Sequence, residues 1–259
     1  MTIEFFKYQG TGNDFIVLDN REEKYSGLTQ TQIHFLCDRR MGIGADGLMM
    51  LQKKEGYDFE MKYYNADGKE GSMCGNGGRC IVQFARDKNI IGEKTFFIAS
   101  DGSHDAVISS AEVIELKMKD VDGVERRGNI SILNTGSPHY IEPVSNIKDI
   151  DVENRGKAIR YNDEFKNVGI NVNFIESTKD GVYIRTYERG VEAETLSCGT
   201  GATAAALSIA EDTLNPQTIS LLTKGGMLQI RFTKINATQF RDIWLCGPAT
   251  FVFKGMINL

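Results

Sequence analysis

Short apolar runs and apolar/polar alternation dominate the chain, the period-2 signature of half-buried strands. Strands are predicted at residues 3–8, 15–19, 47–52, 58–64, 95–99, 104–109 and 112–118. The theme returns at 130–134, 139–144, 171–176, 181–187, 218–223, 227–232, 242–246 and 249–257. Helical signals are fewer. Thr29 with Gln32 three residues on is a capping box and predicts a helix over 30–40, and a weaker segment lies within 153–166. Two more helices open directly after a cysteine, at Met73-Cys74-Gly75-Asn76-Gly77-Gly78 and Ser197-Cys198-Gly199-Thr200-Gly201-Ala202. The stretches that follow, Cys80 to Ala85 and Ala202 to Ala210, are apolar on nearly all sides. Such helices must be wrapped by other elements.

The two cysteine motifs stand 124 residues apart, and other landmarks recur at that offset. Thr11-Gly12 maps to Thr135-Gly136, Tyr63 to Tyr187, Glu70 to Glu194, Gly75 to Gly199 and Gly77 to Gly201. A period near half the chain is too long for a solenoid unit and points to two copies of one domain. The expected fold class is therefore α+β: two pseudo-symmetric lobes from an internal duplication. Each would be a curved, mostly antiparallel sheet around a central helix, with a cleft between them. The expected domains are 1–120 plus the strand at 249–259, carrying Cys74, and 121–248, carrying Cys198. The tail strand is expected to cross back and complete the first copy.

Composition changes the picture mainly by exclusion. The 259 residues, 41% hydrophobic, suffice for two ordinary cores. No run of 18 apolar residues occurs, and the first residues lead into a strand rather than an export signal, so a cytoplasmic location without membrane association is expected. The formal net charge is −5 and the basic residues are dispersed, which leaves nucleic acid without an electrostatic footprint. Five cysteines with no C-x-x-C pair argue against a disulfide framework. The three histidines stand apart from the cysteines and from one another in the sequence, so no metal is expected.

The chemistry concentrates at Cys74 and Cys198. Backbone N–H groups at a helix start carry the positive end of the dipole, acidifying a thiol there and holding a nearby carboxylate. The Gly-x-Gly after each cysteine admits a ligand close to the backbone. Cys37, Cys80 and Cys246 lie in apolar or helical runs and read as packing residues. Gly42 to Gly47 and Gly199 to Ala204 formally match the dinucleotide fingerprint. The first precedes a strand rather than a helix, and the second lacks the strand and the ribose-binding acid. No Walker A sequence or Gly-x-Ser-x-Gly elbow occurs. Polar residues gather around the paired motifs: Asn13, Asn65, Asn76, His139, Asn173, Glu188 and Arg189. At the 124-residue offset Asn13 corresponds to Ser137 and Asn65 to Arg189, a pattern suited to a shared pocket.

These residues carry a resemblance. Tyr64-Asn65-Ala66-Asp67-Gly68, Met73 to Cys80, Tyr187-Glu188-Arg189-Gly190 with Glu194-Thr195, and Ser197 to Ala202 together resemble diaminopimelate epimerase. Lys7 to Phe15, Gly42 to Gly47, Gly169 to Phe174 and Cys246 to Ala249 are similar to further signatures of that family, in the same order. The resemblance implies a cofactor-independent epimerase of lysine and cell-wall precursor synthesis that interconverts LL- and meso-diaminopimelate. Inversion without a cofactor needs a base on one face of the α-carbon and an acid on the other, a task for Cys74 and Cys198.

By the same resemblance, Gly75, Asn76, Gly199 and Thr200 hold the reacting end of the substrate. Asn13, Asn65, Asn173, Glu188 and Arg189 hold the rest, Arg189 as a clamp on the distal carboxylate. His139 and Glu188 are associated with tuning the cysteines. The only partners expected are the small amino-acid substrate and a second copy of the chain in a homodimer. One departure is Gly136-Ser137-Pro138-His139, where the family usually has Asn in place of Ser137. Two rivals share some of these features. A proline or hydroxyproline racemase would have histidine where this chain has Asn76, and would give Arg189 no carboxylate. A redox sensor would use the thiols but not the Gly-x-Gly motifs or the asparagines.

Overall fold

The computed structural model describes residues 1–71, 73–109, 113–179 and 181–259. The first half runs β1 (Thr2–Gly10), β2 (Asn13–Asp19), α1 (Gln30–Cys37), β3 (Gly47–Gln52), β4 (Glu60–Asn65), α2 (Gly75–Asp87), β5 (Lys94–Ala99), β6 (Gly102–Ile108) and β7 (Ile114–Lys117). The second half runs β8 (Val124–Arg127), β9 (Ile130–Asn134), β10 (Pro138–Pro143), α3 (Val152–Arg160), β11 (Asn171–Thr178), β12 (Gly181–Glu188) and β13 (Ala193–Thr195). It continues through α4 (Gly199–Ser208), β14 (Pro216–Thr223), β15 (Gly226–Lys234), β16 (Phe240–Gly247) and β17 (Thr250–Asn258). Two compact units result, one of residues 1–116 with 247–259, the other of 117–246.

Unit 1 orders its strands β17-β1-β2-β3-β4-β5-β6-β7, with β2/β3 and β4/β5 parallel and every other pair antiparallel. Unit 2 orders its own β8-β9-β10-β11-β12-β14-β15-β16, with β10/β11 and β12/β14 parallel and the rest antiparallel. The succession of senses is identical. Even the register recurs: Phe15 faces Gly47 across β2/β3, and His139 faces Asn171 across β10/β11. The α+β class and the duplication expected from the sequence are what the chain adopts.

Each unit wraps a helix: α4 is apolar on nearly all sides, and α2 turns its apolar residues inward while Gln83, Arg86 and Asp87 reach toward solvent. In α2, Cys80, Ile81, Val82, Phe84 and Ala85 are fully buried, and in α4 so are Ala202 and Ala204 to Leu207. Burying one large apolar side chain contributes roughly 1.5–3 kcal/mol. In unit 1, α2 contacts β1, β2, β3 and β17. Phe84 meets Phe6 and Tyr8 of β1 with ring centroids 5.2 and 5.9 Å apart. In unit 2, α4 contacts β9 to β12, β14 and β15. Its run of alanines lets the sheet approach the backbone closely.

Local differences from the expected elements have local causes. The Thr29/Gln32 capping box forms, but α1 stops at Cys37 rather than residue 40. Asp38 is extended, and its carboxylate accepts the N–H groups of Arg40 and Met41, at 2.7 Å each, in place of helical bonds. β8 was not predicted, since Glu125, Arg126 and Arg127 are exposed and only its pairing with β9 makes it a strand. β13 is a three-residue strand on β12. The strand expected over 112–118 is observed from Ile114, and residue 112 lies outside the described residues. Cys37, Cys80 and Cys246 are buried packing residues, as expected.

Candidate active site

In unit 1 Cys74 is the residue before α2, extended at φ −97°, and its side chain makes no capping bond. The first intrahelical bond runs from Gly78 N–H to Cys74 O at 2.7 Å, so the three preceding N–H groups have no acceptor within their own helix. Asn13 arrives from the head of β2. Its Oδ1 lies 3.6 Å from Cys74 Sγ and accepts from Asn76 Nδ2 at 3.3 Å. Arg79, fully buried one turn into α2, donates to Gly75 O, Thr11 Oγ1 and Pro248 O. These bonds tie the helix start to the end of β1 and the approach to β17. Asn65 stands at the exposed end of β4, its backbone bonded to Lys69 and Gly68 and its Nδ2 against Gly71.

Unit 2 repeats the plan with different side chains. Cys198 precedes α4 in the same extended conformation, again with no capping bond, and Ala202 N–H reaches Cys198 O at 2.9 Å. Thr200 Oγ1 lies 3.5 Å from Cys198 Sγ, while Thr135 Oγ1 donates to Thr200 O at 2.8 Å. A Cβ at Gly201 would stand 2.5 Å from Asn173 Oδ1 and 3.4 Å from Cys198 Sγ. Glycine is what lets Asn173 come beside the thiol.

Behind Cys198 lies a closed polar network. Asn173, fully buried, donates through Nδ2 to His139 Nδ1 and Tyr140 O, each at 3.1 Å, and its Oδ1 accepts from Thr186 Oγ1 at 2.9 Å. With Nδ1 accepting, the imidazole proton belongs on Nε2. That buried Nε2 has no partner among the described residues.

A second group lies at the heads of β10 and β11. Asn171 donates to Ser137 Oγ at 2.7 Å and accepts the Arg189 N–H at 2.9 Å. The exposed Arg189 guanidinium bonds Val168 O at 3.1 Å and Ser137 Oγ at 3.4 Å, and no carboxylate pairs with it among the described residues. Gly169, at φ +78°, leaves the room this side chain needs, since a Cβ there would stand 2.6 Å from Arg189 Cδ. Glu188 accepts from Thr195 Oγ1 at 2.8 Å. Within each unit, then, a cysteine sits at a glycine-rich helix start ringed by amides and hydroxyls.

Known proteins resemble the chain over nearly its whole length. The family model described as diaminopimelate epimerase matches the chain twice over, at residues 5–124 and 131–252. The chain belongs to the diaminopimelate epimerase family. Among curated members, that of Flavobacterium psychrophilum is 49% identical over 98% of this chain and 100% of its own length. That of Chlorobaculum tepidum is 43% identical over 96% and 99%. The same fold occurs in a Bacillus anthracis phenazine biosynthesis protein of the PhzF family (TM-score 0.76, 16% identity, all of both chains covered). It occurs also in an Agrobacterium vitis hydroxyproline epimerase (TM-score 0.68, 13% identity, 99% and 92% covered).

For this epimerase-family chain the structure adds residues the sequence did not single out: Asn171, Thr186, Thr195 and Arg79. Asn and Thr are common in turns and strand ends, and a lone arginine in a helix reads as solvated, so only contacts distinguish them. Among the described residues no cluster of three His, Cys, Asp or Glu is placed to hold a metal. No helix of the described chain is long and apolar enough to cross a membrane.

His139 has a measurable signature. Burial, reinforced by the Arg189 charge, pushes its pKa from 6.5 down to about 3. The unfolded chain therefore binds a proton below pH 6.5 that the folded chain refuses. Stability is expected to fall by up to about 1.4 kcal/mol per pH unit between those values. An NMR titration should find the His139 ring neutral from pH 8 to pH 5 (about two units above its folded pKa); a midpoint near 6.5 would contradict the buried network.

Proposed function

We propose that this protein interconverts LL- and meso-2,6-diaminopimelate, with Cys74 and Cys198 as the two acid/base groups on opposite faces of one α-carbon. The observation that carries the reading is the thiol standing at the same place in both copies, before a buried glycine-rich helix start, in a chain of this family. One thiolate removes the α-proton while the other thiol delivers a proton to the opposite face, and the reverse reaction exchanges the roles. Two interacting thiols titrate as a pair, so neither is assigned a private pKa.

The α-proton of an amino acid is weakly acidic, and the remedy here is electrostatic. As negative charge moves onto the α-carboxylate, the N–H groups of Gly75 to Gly77 and Gly199 to Gly201 offer it fixed donors. The reading calls on no cofactor. Asn76 and Thr200 join these helix starts at the reacting end, and Asn13 and Asn65 from unit 1 with Glu188 and Arg189 from unit 2 hold the rest of the substrate. Asn171 holds Arg189 for that role, by accepting its backbone N–H and through Ser137. Asn173, whose amide is already bonded, serves as the strut beside Cys198, and His139 is the neutral group behind it.

Arg189 is the expected grip on the distal carboxylate. Arg189→Ala should raise KM for diaminopimelate by roughly tenfold to a hundredfold, the worth of a charge-assisted bidentate bond. A short amino acid that lacks the distal carboxylate should lose little. Equal losses on both would contradict the clamp. The whole reading is tested by deuterium uptake from solvent at the α-carbon. Exchange with LL-diaminopimelate and none with proline is expected, exchange with proline alone would favour a racemase of ring amino acids, and exchange with neither would leave the thiols to a redox role.

A further inference from the structure

Beside Cys74, unit 1 holds an ion cluster that the proposed chemistry leaves unused. Lys7 and Arg39 both pair with Asp14, at 2.7 and 2.5 Å, and Arg39 also pairs with Asp46 at 2.8 Å. The two oxygens of Asp46 are divided. Oδ1 faces Arg39, while Oδ2 accepts Asn13 Nδ2 at 2.5 Å and the Asp14 N–H at 3.2 Å. A carboxylate only accepts, so the NH2 of Asn13 is obliged to face Asp46. The amide oxygen must then point the other way, to Cys74 Sγ at 3.6 Å and Asn76 Nδ2 at 3.3 Å.

Turning that amide over would set its oxygen against the Asp46 carboxylate and its NH2 against the NH2 of Asn76. Both contacts are repulsive, so a single orientation is selected. In unit 2 the matching position is bonded in the opposite sense. Ser137, the repeat partner of Asn13, accepts from Asn171 at the head of β11, whereas Asn13 donates to Asp46 just ahead of β3.

We propose that Asp46, itself set by Arg39, is a positioning residue for the reaction: it fixes the Asn13 amide with its oxygen toward the Cys74 thiol. The inference rests on Cys74 being one of the two acid/base groups. Asp46 touches no reacting atom in this scheme and acts only through Asn13.

The test is a double-mutant cycle in the full-length protein: Asp46→Ala, Asn13→Ala and both together, with Asp46→Asn as an isosteric check should the alanine variant fold poorly. Asp46→Ala is expected to lower kcat by roughly tenfold to a hundredfold, the usual penalty for a misplaced group. Placed on top of Asn13→Ala, it should cost almost nothing more. A second readout needs no turnover: the rate of Cys74 alkylation by iodoacetamide in a Cys198→Ser background. Asp46→Ala should change that rate severalfold, and the change should vanish in the Asn13→Ala background. Alkylation of Cys198 in a Cys74→Ser background should stay within about twofold, because the bonds that link Asp46 and Asn13 to a thiol lead to Cys74.

Losses in kcat that multiply, an unaltered Cys74 rate, or equal changes at both cysteines would overturn the proposal. If the wild-type protein does not epimerise diaminopimelate at all, the functional reading fails. The alkylation cycle still decides whether Asp46 acts through Asn13.

Discussion

Exchange of either Cys74 or Cys198 for serine is expected to lower epimerisation roughly a thousandfold in both directions, within the range found for removal of a general acid or base. A hydroxyl is too weak an acid to supply or regenerate the base near neutral pH, and one remaining thiol cannot serve both faces of a carbon. The fold should survive. Neither sulfur caps its helix, and serine is among the better residues at that position, so the melting temperature should hold or rise slightly. Turnover by a progress assay from each stereoisomer, beside a thermal melt, checks both halves of the expectation. Wild-type-like turnover in either variant would remove the two-base scheme.

The second large effect is expected at Gly201, and its repeat partner Gly77 supplies the control. Alanine at 201 would bring a methyl group to 2.5 Å from Asn173 Oδ1, with Cys198 Cβ and Sγ at 3.3 and 3.4 Å. Asn173 cannot retreat without breaking its bonds to His139, Tyr140 and Thr186. Gly201→Ala should therefore cost about 1–3 kcal/mol of stability, as overpacked cores do. It should also reduce kcat by on the order of a hundredfold by displacing the thiol. At Gly77 the nearest atom to an added methyl is Met49 Sδ at 3.2 Å, the flexible kind of neighbour that can move aside. Alanine is also the better helix former by about 1 kcal/mol. Gly77→Ala should then be neutral or stabilising, with a far smaller loss of turnover. Denaturant unfolding and steady-state kinetics on the pair check this, and the opposite ranking would mean that the network beside Cys198 yields easily.

Much of the architecture was legible because the signals were periodic and duplicated. The alternation and short apolar runs that mark β1 to β7, β9 to β12 and β14 to β17 do not depend on distant residues, and the offset of 124 residues tied two weak patterns into one. The helix starts at Cys74 and Cys198 were legible for a similar reason, since glycine-rich turns leading into apolar helices are local statements. β8 was not legible: Val124 is its only apolar residue, and β9 alone decides that Glu125 to Arg127 are extended. The end of α1 turned on a side-chain competition at Asp38 that the capping signal at Thr29 could not foresee.

The sequence by itself determined the family, the doubled plan and the two glycine-rich helix starts that open after a cysteine, because each is a matter of residue type at fixed spacing. Only the tertiary structure decided how the polar residues divide their work. Asn171 and Asn173 are two positions apart on one strand with nearly the same sequence signal. Yet Asn171 reaches Ser137 and Arg189, whereas Asn173 is enclosed with His139 and Thr186. The same holds for Asp46, whose bond to Asn13 depends on β2 and β3 lying side by side in parallel. Hydrogen bonds have direction and a reach of about 3 Å, and residues 33 positions apart in the chain acquire that geometry only once the sheet has formed.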